Sequence, residues 1–261
     1  MSPSETVLLT FDGPVAVVTM NRPDRHNAFN DEMDLRFFEV LAEVRDRTDV
    51  RCVLWRGEGK SFSSGRDTKE LGMRAGGESD LEFIEAGHIR TRSLWTMPVP
   101  IVVALKGWAL GGSFERALLC DLRIAATDTR MALPEVGHGV IPDSGGTARL
   151  FQMAGHGFAA DMALTGRVID AAEALQHGIV SRVVEPDQLD VEALALAHEI
   201  AKRAPLAVKF SRAILSSLAT PEIERSMHEE MLGQTVLFAS EDYKELKAAR
   251  AESREPKFRG R

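Results

Sequence analysis

The chain has little cysteine and no long apolar run, and both shortages narrow its class. Its 261 residues include two cysteines, Cys52 and Cys120, which excludes a disulfide scaffold and a metal site built from four thiolates. Both lie in apolar stretches, so we expect buried, reduced thiols. No segment reaches the roughly 18 apolar residues that a membrane span needs. The first residues show no secretory pattern, and a cytoplasmic protein is therefore expected.

Positive charge is also scarce. The chain has 32 Lys and Arg against 39 Asp and Glu, a net charge of −7. Binding to nucleic acid requires a basic face, so we expect neither a nucleic acid nor a membrane as a partner. A small anionic ligand held by a local basic patch is compatible with this balance.

Several catalytic motifs are incomplete. Gly59-Lys60-Ser61 follows a strand pattern, but Leu54 stands where a phosphate loop needs its first glycine. Residues 137–139 read Gly-His-Gly, and Pro142 replaces the third glycine of a dinucleotide fingerprint. No HExxH or G-x-S-x-G motif occurs, which disfavours a zinc protease and an α/β-hydrolase. We expect no metal site and no separate cofactor.

Strand and helix patterns alternate along the first 190 residues, and only helical patterns follow. This order predicts an α/β core over residues 1–190 and a helical region over residues 191–261. Proline favours the first turn of a helix, so Pro205 and Pro221 predict separate helices over residues 205–218 and 221–238. Two helices are likewise predicted over 144–154 and 158–164.

Two glycine-rich corners follow predicted strands, at residues 60–67 and 107–115. Small residues let a ligand approach the backbone, and a helix start presents unpaired N–H groups. Two such groups aimed at one point would form an oxyanion hole. The plainer explanation, tight packing of helix on strand, is favoured for either corner alone.

Three acids lie near these corners. Glu115 and Glu135 stand in apolar stretches, where a carboxylate is costly unless it is paired or functional. Pairing with a nearby arginine explains Glu115 equally well, and a backbone contact explains Glu135. Asp143 precedes Ser-Gly-Gly, and a helix cap accounts for it without any catalytic role.

Taken together, these stretches resemble the enoyl-CoA hydratase/isomerase (crotonase) superfamily over nearly the whole chain. The matching segments are residues 21–29, 61–71, 98–125, 133–150 and 240–261. The resemblance implies a crotonase-like α/β spiral of ββα repeats with a C-terminal helical trimerisation module. It also implies an acyl-CoA thioester substrate and a homotrimer or a dimer of trimers.

The resemblance further implies roles for individual residues. The thioester oxygen would be bound by the backbone N–H groups of Ser64 and Gly112. Glu115 would orient and deprotonate a water, and Glu135 would protonate Cα, giving syn hydration of a trans-2-enoyl-CoA. The other substrate-binding residues expected on this basis are Arg25, Ser63, Arg66, Asp67, Leu71, Trp108 and Gly111.

Asp143 departs from the pattern, because the hydratases of comparison carry glycine there. A carboxylate near this position does the chemistry in some isomerases and dehalogenases of the superfamily. An enoyl-CoA isomerase or another CoA-enolate lyase using Asp143 is therefore the alternative. A non-catalytic relative that binds acyl-CoA or RNA is a third hypothesis, disfavoured by the intact acid pair and the acidic charge.

Overall fold

The structure, a computed structural model, describes residues 5–70 and 77–261. Its main sheet has six strands in the order β1-β2-β3-β4-β6-β9. The bounds are β1 Val7–Asp12, β2 Val15–Met20, β3 Cys52–Gly57, β4 Ile101–Leu105, β6 Leu122–Ala126 and β9 Arg182–Val184. The turn residues Asp12-Gly13-Pro14 between two apolar runs predict a hairpin, and β1 and β2 form it as an antiparallel pair. Every later pairing in this sheet is parallel.

A second sheet of three short strands lies beside the two glycine-rich corners. Its order is β5-β7-β8, with β5 at Trp108–Leu110, β7 at Arg130–Ala132 and β8 at Ile169–Asp170. The sequence did not predict β5 or β8, because two or three residues carry too little periodicity.

Nine α-helices are present in the described part of the chain. They are α1 Asp31–Arg45, α2 Asp80–Thr91, α3 Ser93–Thr96, α4 Gly111–Leu118, α5 Gly146–Thr165, α6 Ala171–Gln176, α7 Leu189–Ala201, α8 Pro205–Ala239 and α9 Glu241–Ala251. Asn30 precedes a helical pattern over residues 31–46 and so predicts a helix cap, which the structure confirms, since its side chain accepts the Met33 N–H at 3.0 Å. The sequence also predicts a short helix over residues 68–74, of which residues 71–74 lie outside the described part.

Both faces of the main sheet are covered. On one face Trp55 packs against Phe37 and Phe62, with ring centroids 4.7 and 4.9 Å apart. On the other, α7 covers the alternate side chains, including Cys52. Burial raises the pKa of the Cys52 thiol to about 12, so it stays protonated, and Cys120 is buried too. The expectation of buried, reduced thiols is confirmed.

The prediction of two helices around Pro221 is wrong, because α8 runs unbroken through it for 35 residues. Pro221 is exposed, so the carbonyl that loses its partner can bind water instead. The two helices predicted from residue 144 onward form one element, α5, with a kink at Gly155. In the described part of the chain, no helix is both long and apolar enough to cross a membrane. The division at residue 190 stays a prediction.

Candidate active site

Two strand-to-helix corners are joined by main-chain hydrogen bonds. After β3, the Ser63 N–H donates to the Trp108 carbonyl at 2.9 Å, and the Leu110 N–H donates to the Ser63 carbonyl at 3.0 Å. The Ser63 hydroxyl lies 2.7 Å from that of Ser113 in the first turn of α4. Ser63 is fully buried. Its side chain therefore joins the two corners, and the structure does not support the predicted contact with substrate.

The backbone N–H groups of these corners differ in whether they are engaged. Within the described residues no side chain caps α4 at its N-cap, Leu110, and the Gly112 N–H in its first turn has no helical partner. The Ser64 N–H donates to the His26 carbonyl at 2.9 Å, so the structure does not support Ser64 as a donor to substrate. Among residues 5–70 and 77–261 the Arg66 N–H has no acceptor, and Arg66 lines the same cavity as Gly112.

Glu115 lies fully buried on α4, and backbone N–H groups contact both carboxyl oxygens. Its Oε1 accepts the Asp143 N–H at 3.2 Å, and its Oε2 accepts those of Ser144 and Gly146 at 3.1 Å each. Burial raises the pKa of Glu115 well above its usual value, and the neighbouring Glu135 raises it further. The Ser144 N–H acts in the opposite direction.

Glu135 begins the 3-10 turn Glu135–His138 after β7 and reaches over the start of α4. Its Oε1 lies 2.8 Å from where a Cβ on Gly111 would be, and Gly111 has a φ of +55°. Only glycine fits there without displacing the carboxyl. Burial raises the pKa of Glu135 to about 8, and the Asp143 carboxyl adds to this shift. Glu135 is therefore protonated at neutral pH and can act as a proton donor.

Asp143 lies in the turn of residues 141–146, named here the Asp143 turn. Its backbone is held from two directions, because its N–H donates to Glu115 and its carbonyl accepts the Nε2–H of His88 on α2. Asp143 and Glu135 line the same cavity. The turn therefore brings a third acid to the site.

Side chains of α8 also hold the Asp143 turn. Glu230 accepts the Gly145 N–H at 2.9 Å and the Ser226 hydroxyl at 2.7 Å. Gln234 accepts the Ile141 N–H at 3.0 Å. Burial raises the pKa of Glu230 to about 7. Sequence reasoning missed these residues, whose spacing of four places them on one helix face.

A cavity of about 150 Å³ lies between α2, α4 and the Asp143 turn. Four of the predicted site residues line it, namely Arg66, Gly112, Glu135 and Asp143. Phe83 of α2 and Val140 add apolar surface. Gly111 lies against the Glu135 carboxyl, and Glu115 accepts the N–H groups of the Asp143 turn. The predicted acids and one predicted donor are thus brought together.

The other predicted substrate contacts lie elsewhere. Trp108 is exposed on β5, and Arg25 is exposed in the turn before α1. Asp67 is engaged with Arg22, at 3.3 Å. Leu71 lies outside the described residues. Substrate binding by Arg25, Asp67, Leu71 and Trp108 stays a prediction.

This fold and site define a class of enzyme. Backbone N–H groups at a helix start can polarise a carbonyl, and adjacent carboxyls can move protons beside it. The chain belongs to the enoyl-CoA hydratase/isomerase family, whose sequence profile matches residues 10–261. It is an enzyme with the crotonase fold. The helices α8 and α9 form the helical C-terminal region that the resemblance implies.

Individual relatives cover almost the whole chain. The short-chain-enoyl-CoA hydratase of Clostridium acetobutylicum is 36% identical over 95% of both chains. The carnitinyl-CoA dehydratase of Salmonella arizonae is 35% identical over 98% of this chain and 99% of its own. The crystal structure of an enoyl-CoA hydratase/isomerase from Pseudoalteromonas atlantica superimposes with a TM-score of 0.89 at 30% identity, covering 97% of this chain and 100% of that one.

Proposed function

We propose that this enzyme is an enoyl-CoA hydratase that adds water syn across a trans-2-enoyl-CoA. The observation that carries the proposal is the pair of buried carboxyls, Glu115 and Glu135, beside the free N–H groups at the start of α4. Similarity to proteins named enoyl-CoA hydratase supports the same reaction. No further cofactor is needed, because CoA enters as part of the substrate.

The proposed steps assign Glu115 as the carboxylate, because three backbone N–H groups donate to it, and Glu135 as the carboxylic acid. The thioester oxygen accepts the N–H groups of Gly112 and Arg66, which stabilise the enolate as negative charge develops. The water oxygen bonds to Cβ and gives a proton to Glu115, while Glu135 gives its proton to Cα. Proton exchange between the two carboxyls restores the starting state. Arg66 thus takes the donor role that the sequence assigned to Ser64.

A second candidate is isomerisation of a 3-enoyl-CoA. It is favoured by the fact that Asp143 and Glu135 both line the cavity, whereas Glu115 is fully buried behind the turn. One carboxylate would remove a proton from C2, and the other carboxyl would return one to C4.

The absorbance of the conjugated enoyl thioester separates the two reactions. With a 2-enoyl-CoA, hydration lowers this absorbance, and Glu115→Gln and Glu135→Gln should each reduce the rate by about a hundredfold or more. Glu192→Gln, an exposed change on α7, is the matched control. Full hydration by Glu115→Gln would refute the two-glutamate mechanism. An absorbance rise with 3-enoyl-CoA that Asp143→Asn abolishes would establish the isomerase instead.

We also propose that the enzyme assembles as a homotrimer or a dimer of trimers through α8. Four large apolar side chains are 61–73% exposed at intervals of four residues, namely Leu206, Phe210, Ile214 and Leu218. Such a stripe is typical of an association surface. In sedimentation equilibrium, Phe210→Asp should lower the assembled mass, whereas Lys209→Asp on the same helix should not. A monomeric wild-type chain would refute the assembly.

A further inference from the structure

The two catalytic glutamates of the proposed reaction are held in different ways. Three backbone N–H groups donate to the Glu115 carboxyl. The Oε2 of Glu135 is buried, and in the described part of the chain it has no hydrogen-bond partner. The place of the Glu135 carboxyl beside Gly111 therefore depends on the segment that carries it, residues 135–140, named here the Glu135 turn.

Hydrogen bonds within the Glu135 turn connect its far end to Glu135 itself. The Gly139 N–H donates to the Val136 carbonyl at 3.3 Å, and the Val140 N–H donates to the Glu135 carbonyl at 3.3 Å. Gly139 ends the 3-10 turn in a left-handed conformation, with a φ of +63°. A displacement of Gly139 or Val140 would therefore be transmitted to Glu135.

Helix α9 supports the Glu135 turn from the side away from the cavity. Val140 is buried together with Tyr243 and Leu246 of α9, and it also lines the cavity. The Nη2 group of Arg250 donates to Nδ1 of His138 at 3.0 Å. The turn is therefore packed between the cavity and α9.

Residues 252–261, named here the C-terminal tail, fold back along α9. The Asp242 carboxyl in the first turn of α9 accepts the N–H groups of Arg259 and Gly260 at 2.6 and 2.8 Å. Glu245 of α9 accepts the Lys257 N–H at 2.9 Å. These hydrogen bonds fix the path of the tail over the start of α9.

Phe258 lies between two of these fixed points, the N–H groups of Lys257 and Arg259. Its Cε1 lies 3.6 Å from where a Cβ on Gly139 would be, and the Asp242 carbonyl oxygen lies 3.7 Å from the same point. More than half of Phe258 is covered, since 43% of it remains exposed. Its ring therefore packs against the far end of the Glu135 turn.

We propose that Phe258 is a positioning residue that acts through Gly139 and holds the Glu135 turn in place, so that the Glu135 carboxyl stays buried beside Gly111. This inference rests on the proposed function, since it takes Glu135 as the proton donor to Cα. Phe258 is not among the described residues that line the cavity, so it acts on the reaction through the turn rather than on the substrate.

A substitution of Phe258 changes the burial of Glu135 without changing any charge. The charged and titratable groups around the site stay in place, namely Glu115 and Arg116 on α4, His88 on α2, Asp143 in its turn, Glu230 on α8, and His138 with Arg250 of α9. Burial raises the pKa of Glu135, so access of water lowers it. Because the proposed hydration needs the protonated carboxyl, activity should then be lost at a lower pH.

Hydration of a 2-enoyl-CoA by the full-length enzyme, measured across pH, tests the inference. Phe258→Ala should lower kcat by about tenfold with little change in KM, and should move the loss of kcat/KM at high pH downward by at least about half a unit. Phe258→Tyr keeps the ring and should restore both values. Lys257→Ala is the matched control, because Lys257 contacts Glu245 through its backbone N–H and its own side chain is exposed.

Phe258→Leu provides a second measurement with a smaller loss of packing, and its effects should be intermediate. A wild-type kcat and pH profile in both Phe258→Ala and Phe258→Leu would overturn the inference. A loss confined to KM would overturn it too, since the tail would then act on the substrate.

Stability measurements keep this inference separate from the hydratase proposal. From about pH 5 to about pH 9 the free energy of unfolding of the wild type should fall, because the folded chain keeps a proton on Glu135 that the unfolded chain loses. This fall should be smaller in Phe258→Ala, and in a Glu135→Gln background Phe258→Ala should not alter the pH dependence.

The two proposals can then fail independently. A smaller fall in Phe258→Ala, with no hydration by the wild type, would sink the hydratase and support the positioning role. Hydration by the wild type, with equal falls in the wild type and Phe258→Ala, would support the hydratase and overturn the positioning role.

Discussion

Replacing Glu135 by glutamine should change how the stability of the enzyme depends on pH. Burial raises the pKa of Glu135 from 4.5 to about 8, so the folded chain keeps a proton that the unfolded chain loses. Between these values the folded state binds more protons, and the free energy of unfolding of the wild type falls as pH rises. The interval corresponds to about 5 kcal/mol, at about 1.4 kcal/mol per pH unit. Glutamine cannot ionise and has nearly the same shape, so Glu135→Gln avoids this loss.

Urea unfolding followed by circular dichroism, at one protein concentration and from about pH 5 to about pH 9, measures the difference. The variant should be slightly more stable near pH 5 and more stable by several kcal/mol near pH 9. Glu192→Gln, whose side chain is exposed, controls for loss of a carboxyl as such. Parallel pH curves for Glu135→Gln and the wild type would refute the claim that burial holds Glu135 protonated.

Three further substitutions test the support of the site. Gly111→Ala should lower stability by roughly 1–2 kcal/mol, because alanine is strained at a φ of +55°. It should also reduce turnover more than tenfold, because the new Cβ displaces the Glu135 carboxyl. A kcat equal to that of the wild type would contradict this. Glu230→Leu should lower kcat by roughly tenfold to a hundredfold with little change in KM, and Glu230→Gln should restore most of it; equal rates for both variants would exclude a positioning role. Arg123 donates hydrogen bonds to four carbonyls, including three at the end of α4. Arg123→Met should therefore lower the free energy of unfolding by roughly 3–5 kcal/mol, measured by urea titration. A change below about 1 kcal/mol would contradict this structural role.

The sequence was informative where local chemistry decides the outcome. The glycines of the α4 corner stood out because small residues let a ligand approach the backbone, and Glu115 and Glu135 because a carboxyl in an apolar stretch is costly. The structure adds a reason at Gly111, where any Cβ would meet Glu135. The hairpin of β1 and β2 and the capped start of α1 were predictable from residues close in sequence, namely Asp12-Gly13-Pro14 and Asn30.

Other features depend on partners distant in sequence. The Ser64 N–H is engaged by His26, so the free donor of that corner is Arg66, and a motif alone cannot distinguish them. The contacts of Glu230 with the Asp143 turn, like the pairing of Asp34 with Arg116, arise only when separate helices pack together. The unbroken path of α8 through Pro221 has a different cause, because exposure to water there offsets the preference of proline for a helix start.

The residues of the Asp143 turn are synthesised before the α8 side chains that hold them. The side chains of Glu230 and Gln234 that bind this turn come 85 and 93 residues later than the N–H groups they accept. The residues of the sheet and of the α4 corner are therefore synthesised before the α8 side chains that hold the Asp143 turn. The Asp143 turn therefore gains this support only after residue 234 has been made, and a chain terminated within α8 before Glu230 would lack two of the contacts that fix the third acid.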